Sequence, residues 1–558
     1  MKKILIYIFA LISLAGCISN DIPYPVLEPS ITALDVEGAV NVEIDNTSRC
    51  VIVHLTETSD LRKVNIKSVE YAHEITTSSK SVTGIHDLSR SPLLFDLTTY
   101  DDYDWRILAV RDVERYFTVN GQIGSAWIDD VNHRVILNVG KDADLQNIKV
   151  TSVKLGPKDG LSIYEPMLDD LIGAEIDMTE EYLIKVTAFD EVEDWYVYAE
   201  VVESSVSLGK VNIWTTEAYV NSSGVAGMDN GFRYRKSGVE AWTDVSQEDI
   251  TADGGSFEAH ITGLEPDTSY EVMAYCGEDM TDPVEFTTAP ATQLPNSGFE
   301  YVSKVKGANY YKFYDPDCGV EEGIHMFWGS GNGEGSEGVD GSANLGIVIT
   351  TIDQVNKIEG KQSVCAQTSQ MVGMLAAGNL FAGQFAGLVG TEGGKVNFGR
   401  PWDTRPKALK LYCKYSTGKM DVINRAPAGV KLTKDDYDRA QIKVALGTWS
   451  YRQYGGTPDS PVLINTTDEK TFVDFNTDKS TIANGDLVIN HDGYSINSGE
   501  KVTEMTDKWI EYTIPLNYHD MELKPTHIII SCAASQFGDY FSGCSSSKLW
   551  LDAFELIY

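Results

Sequence analysis

One short stretch holds side chains well suited to contacting a hydroxyl-rich ligand: Arg400-Pro-Trp402-Asp-Thr-Arg405. An indole ring offers a flat apolar surface for the C–H face of a sugar, and such stacking buries little polar surface. The guanidiniums on either side can pair with carboxylates or with several hydroxyls. Pro401 and Pro406 fix φ and stiffen the loop. We therefore expect this loop to contact an acidic or heavily hydroxylated sugar.

Other side chains of the same types lie elsewhere in the C-terminal half. We expect the 398–406 loop to form one rigid pocket with the loop at 538–543, which carries an acidic and an aromatic residue on a Gly-flanked turn. The predicted ligand-binding residues are Trp328, Asn379, Arg400, Trp402, Arg405, Asp539 and Tyr540.

Each of these residues also has a plain structural interpretation. Core packing is the alternative for the tryptophans, and a salt bridge to Asp403 is the alternative for the two arginines. If the ligand interpretation holds, Trp402→Ala and Arg400→Ala abolish binding and leave the stability nearly unchanged.

No catalytic residue is predicted. Glycoside hydrolysis needs two carboxylates at a defined separation, and 82 Asp and Glu residues leave any pairing from sequence arbitrary. The nine histidines form no H-E-x-x-H motif, and no G-x-S-x-G elbow is present. Binding is therefore favoured over catalysis.

The charge balance and the N-terminus limit partners and location. A net charge of −37 excludes nucleic acid as a partner. Met1-Lys2-Lys3 precedes a short apolar segment and Leu14-Ala-Gly-Cys17, which resembles a bacterial lipobox. Residues 1–17 are therefore predicted to be a signal peptide, with Cys17 lipidated, followed by a tether over 18–30. An ordinary secretory signal is the alternative.

The resemblance to a lipobox implies an extracytoplasmic protein anchored to the membrane by lipid alone. Asp21, soon after Cys17, is compatible with export to the outer face of the outer membrane, so we expect the protein to be exposed on the cell surface. A protein at this location is expected to have an outer-membrane transport complex or another surface complex as its partner. The uncharged segment 371–390 does not favour a membrane helix, because glycines, Asn379 and Gln384 interrupt it.

The region before residue 290 is predicted to contain three β-domains. Arg49 to Val69 resembles His133 to Val153 at a constant offset of 84, and later matches shift to 81. Residues 31–119 and 120–204 are therefore interpreted as tandem immunoglobulin-like sandwiches. Residues 205–290 carry Leu264-x-Pro-x-Thr-x-Tyr270, which resembles the fibronectin type III signature, in which the tyrosine hydroxyl ties back a corner.

The last domain, 295–558, is predicted to be closed by its two ends. Lys548 to Leu556 is apolar on both faces and suits a central strand, with Asn296 to Glu300 as its first-strand partner. Alternation places Leu549, Leu551 and Ala553 on one face of that strand.

Four segments of this domain together resemble the PCMD (“putative carbohydrate metabolism domain”) jelly rolls: 377–385, 398–406, 411–415 and 538–543. The resemblance implies an exported β-sandwich associated with glycan use, and it brings no catalytic residues. Related jelly rolls also suggest a structural Ca²⁺ between Glu300 and Asp552, the only cofactor expected; solvent exposure or pairing with lysine is the alternative.

The predicted fold class is all-β, with immunoglobulin-like and fibronectin III-like sandwiches followed by a large jelly roll. The predicted function is a surface-exposed outer-membrane lipoprotein that binds glycans through its C-terminal domain. A polysaccharide hydrolase or lyase, and a structural or adhesive surface protein, remain the alternatives.

Overall fold

The protein is described by a computed structural model that covers residues 28–558 except 142, 159, 306–309, 314–326, 334–340, 372–373 and 391. The predicted signal peptide, Cys17 and most of the predicted tether lie outside the described residues. The chain forms two compact units. One extends to Ser207 and includes 223–229 and 253–256, and the other comprises Leu208–Ser222, Asn230–Ala252 and Phe257–Tyr558.

Among its described residues, the first unit has sixteen strands and one short α-helix, α1 (Leu168–Leu171). The strands are β1 (Ile31–Val36), β2 (Ala39–Asp45), β3 (Cys50–Thr56), β4 (Val64–Tyr71), β5 (Thr77–Ser78), β6 (Gly84–His86), β7 (Leu93–Thr98), β8 (Asp102–Asp112), β9 (Tyr116–Val119), β10 (Trp127–Asp129), β11 (Arg134–Gly140), β12 (Ile148–Lys154), β13 (Ser162–Glu165), β14 (Glu175–Ile176), β15 (Tyr182–Ala188) and β16 (Glu191–Val202).

These strands form two pairs of sheets. The first pair has the orders β2-β3-β8-β7-β5 and β1-β4-β6, and the second has β10-β11-β16-β15-β13 and β14-β12-β9. Trp105 and Trp195 are buried in the two cores, and every second residue of β3 and β11 faces inward, as the alternation of apolar residues requires.

The strand pairing corrects the later part of the sequence repeat. Cys50 pairs with Arg106 in a parallel ladder, and Arg134 pairs with Tyr196 in the equivalent one. The first strand of the repeat keeps the offset of 84 (134 − 50), while its last strand has an offset of 90 (196 − 106). The later sequence match, at an offset of 81 residues, was therefore wrong. Short alternations of polar and apolar residues recur in many strands, so they do not by themselves identify which strands correspond.

The third module has nine strands in two sheets, β17-β18-β22-β21 and β20-β19-β23-β24, with β25 beside β23. They are β17 (Ser207–Ile213), β18 (Glu217–Ser223), β19 (Asn230–Lys236), β20 (Thr243–Asp244), β21 (Ile250–Asp253), β22 (Ser256–Thr262), β23 (Ser269–Cys276), β24 (Asp279–Met280) and β25 (Val284–Thr287). The buried Tyr270 accepts a hydrogen bond at its hydroxyl from the Glu265 N–H (2.9 Å). This is the corner contact that the sequence signature predicts.

The C-terminal domain contains the remaining strands and a second short helix, α2 (Tyr451–Tyr454). The strands are β26 (Ser303–Lys304), β27 (Tyr311–Lys312), β28 (Trp328–Gly329), β29 (Thr350–Asp353), β30 (Ser363–Gln367), β31 (Ser369–Met371), β32 (Met374–Ala376), β33 (Asn379–Val389), β34 (Gly393–Phe398), β35 (Arg400–Pro401), β36 (Ala408–Ser416), β37 (Ala440–Gly447), β38 (Val462–Asn465), β39 (Thr481–Asn490), β40 (Gly493–Ile496), β41 (Ile510–Pro515), β42 (Asn517–Tyr518), β43 (His527–Ala533) and β44 (Lys548–Ile557).

Two antiparallel sheets face each other across one large apolar core. The larger has ten strands along the path β38-β34-β33-β43-β37-β39-β40, and the smaller has the order β29-β30-β44-β36-β41. The all-β sandwich fold predicted from the sequence is confirmed. Asn379–Val389 of the uncharged 371–390 segment forms β33, and no helix among the described residues is long and apolar enough to cross a bilayer.

The closing strand β44 occupies the predicted central position, between β30 and β36. Its alternation breaks at Asp552, because two residues of β44 oppose one residue of β36 in a β-bulge, where Ala553 has φ +51°. Leu549 and Leu551 face the core as expected, but beyond the bulge Asp552 turns inward in place of Ala553. The segment 296–300 is a turn rather than a strand, and it touches β44 where the Phe554 N–H donates to the Ser297 carbonyl (3.1 Å).

Candidate functional site

A cavity of about 630 Å³ lies beside the predicted Arg400–Arg405 loop. We call it the Trp402 cavity. Its apolar wall includes Phe327, Trp402 and three proline rings, while Asp403, Asp459 and several hydroxyl and amide groups supply polar atoms. The full lining is Thr292, Gln293, Pro295, Phe327, Arg400, Pro401, Trp402, Asp403, Asp459, Pro525 and Thr526. A few polar groups around an apolar surface are typical of a small-molecule site.

The linker before the C-terminal domain forms one wall of this cavity and is bound firmly to β44. The Gln293 side chain donates to the Leu556 carbonyl and accepts from the Leu556 N–H, both at 2.8 Å. The Tyr558 hydroxyl donates to the Thr292 carbonyl at 2.7 Å. The wall is therefore in place before any ligand arrives, as a preorganised site requires.

Trp402 lines the cavity and has an incompletely satisfied indole ring. It is 8% exposed, and its backbone N–H donates to the Thr526 carbonyl (2.9 Å). Its Nε1–H has no acceptor in the part of the chain that the structure describes. A buried N–H without a partner costs free energy, so an acceptor that enters the cavity would relieve this cost.

Arg400 belongs to the wall of the cavity and is 9% exposed. Its guanidinium donates to the Phe327 carbonyl (3.1 Å), the Gly383 carbonyl (2.6 Å) and the Ser460 hydroxyl (2.9 Å). Three protein acceptors therefore orient this group. The expectation that Arg400→Ala leaves the stability nearly unchanged does not fit such a buried network.

Arg405 points to a different part of the second unit. Its guanidinium donates to the Met521 carbonyl (2.7 Å) and to Asn212 Oδ1 (3.0 Å), and it lies 4.6 Å from the centre of the Trp214 ring. Asn212 and Trp214 belong to the third module. Arg405 thus joins the third module to the C-terminal domain and does not line the Trp402 cavity.

The 538–543 loop does not face the Trp402 cavity. Tyr540 packs edge-on against Phe472, with ring centres 5.6 Å apart, and the Arg425 guanidinium lies 5.9 Å from the Tyr540 ring centre. Asp539 is exposed beside it. Neither residue lines the Trp402 cavity, so the structure does not bring together the two loops that the sequence placed across one pocket.

The other two predicted ligand residues have structural partners. Trp328 is buried in the core, and its Nε1–H donates to the Pro295 carbonyl (2.9 Å), which holds the linker wall. Asn379 accepts from the Gly331 N–H (2.8 Å) and donates to the Ala377 carbonyl (3.2 Å). Trp328 therefore supports the linker wall, whereas Asn379 fixes the backbone at Gly331 and Ala377, and neither residue lines the cavity.

The predicted calcium pair lies around one short loop. Asp552 accepts from the Ile358 N–H (2.8 Å), and the Glu300 carboxylate accepts from the Lys361 N–H (2.9 Å). Among the described residues, no group of three or more His, Cys, Asp or Glu side chains could hold a metal ion. The two carboxylates fit a loop anchor better than a calcium ligand set, and calcium stays a prediction.

Two parts of the cavity were not predicted from the sequence. Asp459 reaches it from a distant loop, and Thr292 and Gln293 reach it from what reads as an ordinary linker. The only sequence signal for Asp459 is the pair Pro458 and Pro461, which indicates a loop with a restricted backbone.

The fold and this site define an all-β sandwich domain with a preformed, aromatic-lined cavity. Residues 298–557 match the family described as “Putative carbohydrate metabolism domain”, and this part of the chain is a PCMD domain, as the resemblance predicted. The chain therefore carries a carbohydrate-metabolism-related domain. No curated protein matches the chain.

Two solved structures from Bacteroides resemble parts of the chain. A protein of Bacteroides thetaiotaomicron described as a “putative glycoside hydrolase” is 17% identical, with a TM-score of 0.32, and the match covers 79% of this chain and 95% of that chain. A protein of Bacteroides vulgatus with the same description is 21% identical, with a TM-score of 0.32, and 47% and 96% are covered. TM-scores this low give no basis for assigning an activity to this chain.

Proposed function

We propose that the C-terminal domain binds a neutral glycan in the Trp402 cavity without cleaving it. The observation that carries the proposal is the indole of Trp402, which lines the cavity and has an Nε1–H without an acceptor. A sugar suits this site, since its hydroxyl oxygens accept from an N–H and its C–H face suits an apolar cavity wall.

The charges around the cavity favour a neutral ligand over an acidic one. Asp403 and Asp459 are exposed carboxylates, while the nearest guanidinium, that of Arg400, is buried against three protein acceptors. A carboxylated sugar would meet like charge at the rim, and among the described residues no lysine lines the cavity to offset it. The sequence had suggested an acidic or hydroxylated sugar because both arginines were expected at the ligand.

We also propose that the protein is a lipid-anchored outer-membrane protein that presents this domain at the cell surface, in contact with a transport or surface complex. The support is the Leu14 to Cys17 sequence, and the residues concerned lie outside the described part of the chain. Cys17→Ala should move the protein from the membrane fraction to the soluble extracytoplasmic fraction. Mass spectrometry that finds no lipid on Cys17 in the wild type would contradict the proposal.

Native gels that contain laminarin, yeast mannan, arabinoxylan, starch or polygalacturonate test the glycan proposal. We expect retardation by at least one neutral polysaccharide and none by polygalacturonate. Trp402→Phe keeps an aromatic ring and removes only the N–H and the second ring, so it should weaken binding by about 3- to 10-fold, the value of one hydrogen bond. The matched control is Trp105→Phe, since Trp105 also has an indole N–H without an acceptor but lies in the first unit.

If wild type and Trp402→Phe were retarded equally, the glycan would not bind in the Trp402 cavity. Retardation by polygalacturonate alone would refute the neutral ligand.

Catalysis is the second candidate, because Asp403 and Asp459 line the same cavity and hydrolysis of a glycosidic bond needs two carboxylates. A reducing-sugar assay on the same polysaccharides separates the two functions. Product release that Asp403→Asn and Asp459→Asn both abolish would establish a hydrolase. Retardation without product release supports binding alone.

A further inference from the structure

A second hollow, of about 660 Å³, lies on the same domain and shares no lining residue with the Trp402 cavity. We call it the Phe472 groove. It is lined by Gln453, Tyr454, Gly455, Leu463, Lys470–Asp474, Thr477 and Asp478. Leu463, Phe472 and Val473 are only partly buried there, and Gln453 and Lys470 are exposed at its rim.

The aromatic side chains of this groove are held in fixed orientations. Asp478 accepts from the Tyr454 hydroxyl (2.6 Å) through one carboxylate oxygen and from Trp449 Nε1 (2.9 Å) through the other. Phe472 is braced from the side by the ring of Tyr540. Partly exposed rings that are fixed in advance lose little entropy when a flat apolar face packs on them.

A single tight loop, 456–461, separates the groove from the Trp402 cavity. Asp459 on this loop lines the cavity, while Gly455 before it and Leu463 after it line the groove. The four-residue step from Asp459 to Leu463 spans at most about 14 Å between Cα atoms. Within the loop, the Gly456 N–H donates to the Pro461 carbonyl (3.0 Å), so the chain doubles back. An oligosaccharide of a few residues can extend over such a ridge.

We infer that the Phe472 groove binds the distal residues of the same neutral glycan chain that occupies the Trp402 cavity. The inference rests on the proposed function. The ligand is then an extended polysaccharide rather than a mono- or disaccharide, and the 456–461 loop lies beneath its middle. Two linked contacts raise the affinity for a long chain well above that of either contact alone, whereas a short ligand gains nothing.

The test compares oligosaccharides of increasing length. The full mature chain is titrated calorimetrically with di- and trisaccharides, and then with hexa- to octasaccharides, prepared from each neutral polysaccharide named above. We expect the longer ligands to bind at least about tenfold more tightly in the wild type. Phe472→Ala should remove this gain and leave disaccharide affinity unchanged.

Lys470→Ala provides a second variant that cannot disturb the core, because Lys470 is exposed at the rim of the groove. Its matched control is Lys479→Ala, at an exposed lysine that does not line the groove. We expect Lys470→Ala to weaken binding of the long oligosaccharides only, by about 3- to 10-fold, as loss of one hydrogen bond predicts.

The inference is overturned if affinity does not rise with ligand length. It is also overturned if both groove variants keep the higher affinity for long ligands. Either result would leave the proposed Trp402 site unaffected. Short-ligand binding that Trp402→Phe does not change would instead overturn the proposed site. Absence of binding by every named glycan would overturn both.

Discussion

Arg400→Ala should destabilise the C-terminal domain strongly, although this residue first reads as a ligand contact. The substitution removes three hydrogen bonds from a charged group that is 9% exposed. Hydrogen bonds to charged groups contribute about 1.5–3 kcal/mol each, and relief of the buried charge offsets part of the loss. We expect the free energy of unfolding to fall by about 2–4 kcal/mol.

Scanning calorimetry of the full chain measures the effect as a lower Tm of the transition that contains the C-terminal domain. For a domain of this size, 1 kcal/mol shifts Tm by about 2–4 °C, so Arg400→Ala should lower it by roughly 5–15 °C. Arg400→Lys should give an intermediate value, because an ammonium cannot reproduce the planar fork. The control is Arg452→Ala, at an exposed arginine, with an expected change within about 0.5 kcal/mol.

The reasoning fails if Arg400→Ala and Arg452→Ala unfold within about 0.5 kcal/mol of each other. Arg400 would then be free to contact the glycan, and the charge argument for a neutral ligand would fail with it.

Three further changes follow from contacts described above. Arg405→Ala should lower the free energy of unfolding by about 2–4 kcal/mol, measured by urea unfolding, and leave disaccharide binding in the Trp402 cavity unaltered. Burial lowers the pKa of His527 below its ordinary 6.5, so its contribution to stability is present above pH 6.5 and is lost as the pH falls through the folded pKa. Unfolding at several pH values should therefore show less acid sensitivity in His527→Gln than in the wild type. Ala553→Gly should raise stability by about 1 kcal/mol, because φ is +51° at this position and glycine adopts it without strain; an unchanged Tm would show that the bulge carries no strain.

Much of the fold could be predicted because strand patterns are local. The apolar residues on both faces of Lys548 to Leu556 indicate a central strand, since both faces of such a strand are covered. The bulge at Asp552 could not be foreseen, because Ala553 carries no glycine or other turn signal for its positive φ. One extra residue was enough to exchange the inward positions of Ala553 and Asp552.

The site could be predicted only where its residues are close in sequence. The Pro401 and Trp402 wall follows from one short stretch, whereas Asp459 and the linker arrive through folding of distant segments. Arg405 was predicted to contact the ligand because its neighbours in the sequence resemble those of Arg400. The two arginines differ in their surroundings because the third module docks at Arg405 and places Asn212 and Trp214 against its guanidinium. No pattern within the 398–406 loop encodes that contact.

The docking of Arg405 on the third module bears on how this protein can be divided and inherited. A fragment that starts at Asn296 would lose Gln293, which is bonded twice to the last strand, and would expose a buried guanidinium to solvent. The smallest piece expected to keep the cavity intact starts near Leu208, where the second compact unit begins. Recombination that transplanted the sandwich from Asn296 onward would carry the Trp402 loop without the linker residues that form the opposite wall of its cavity.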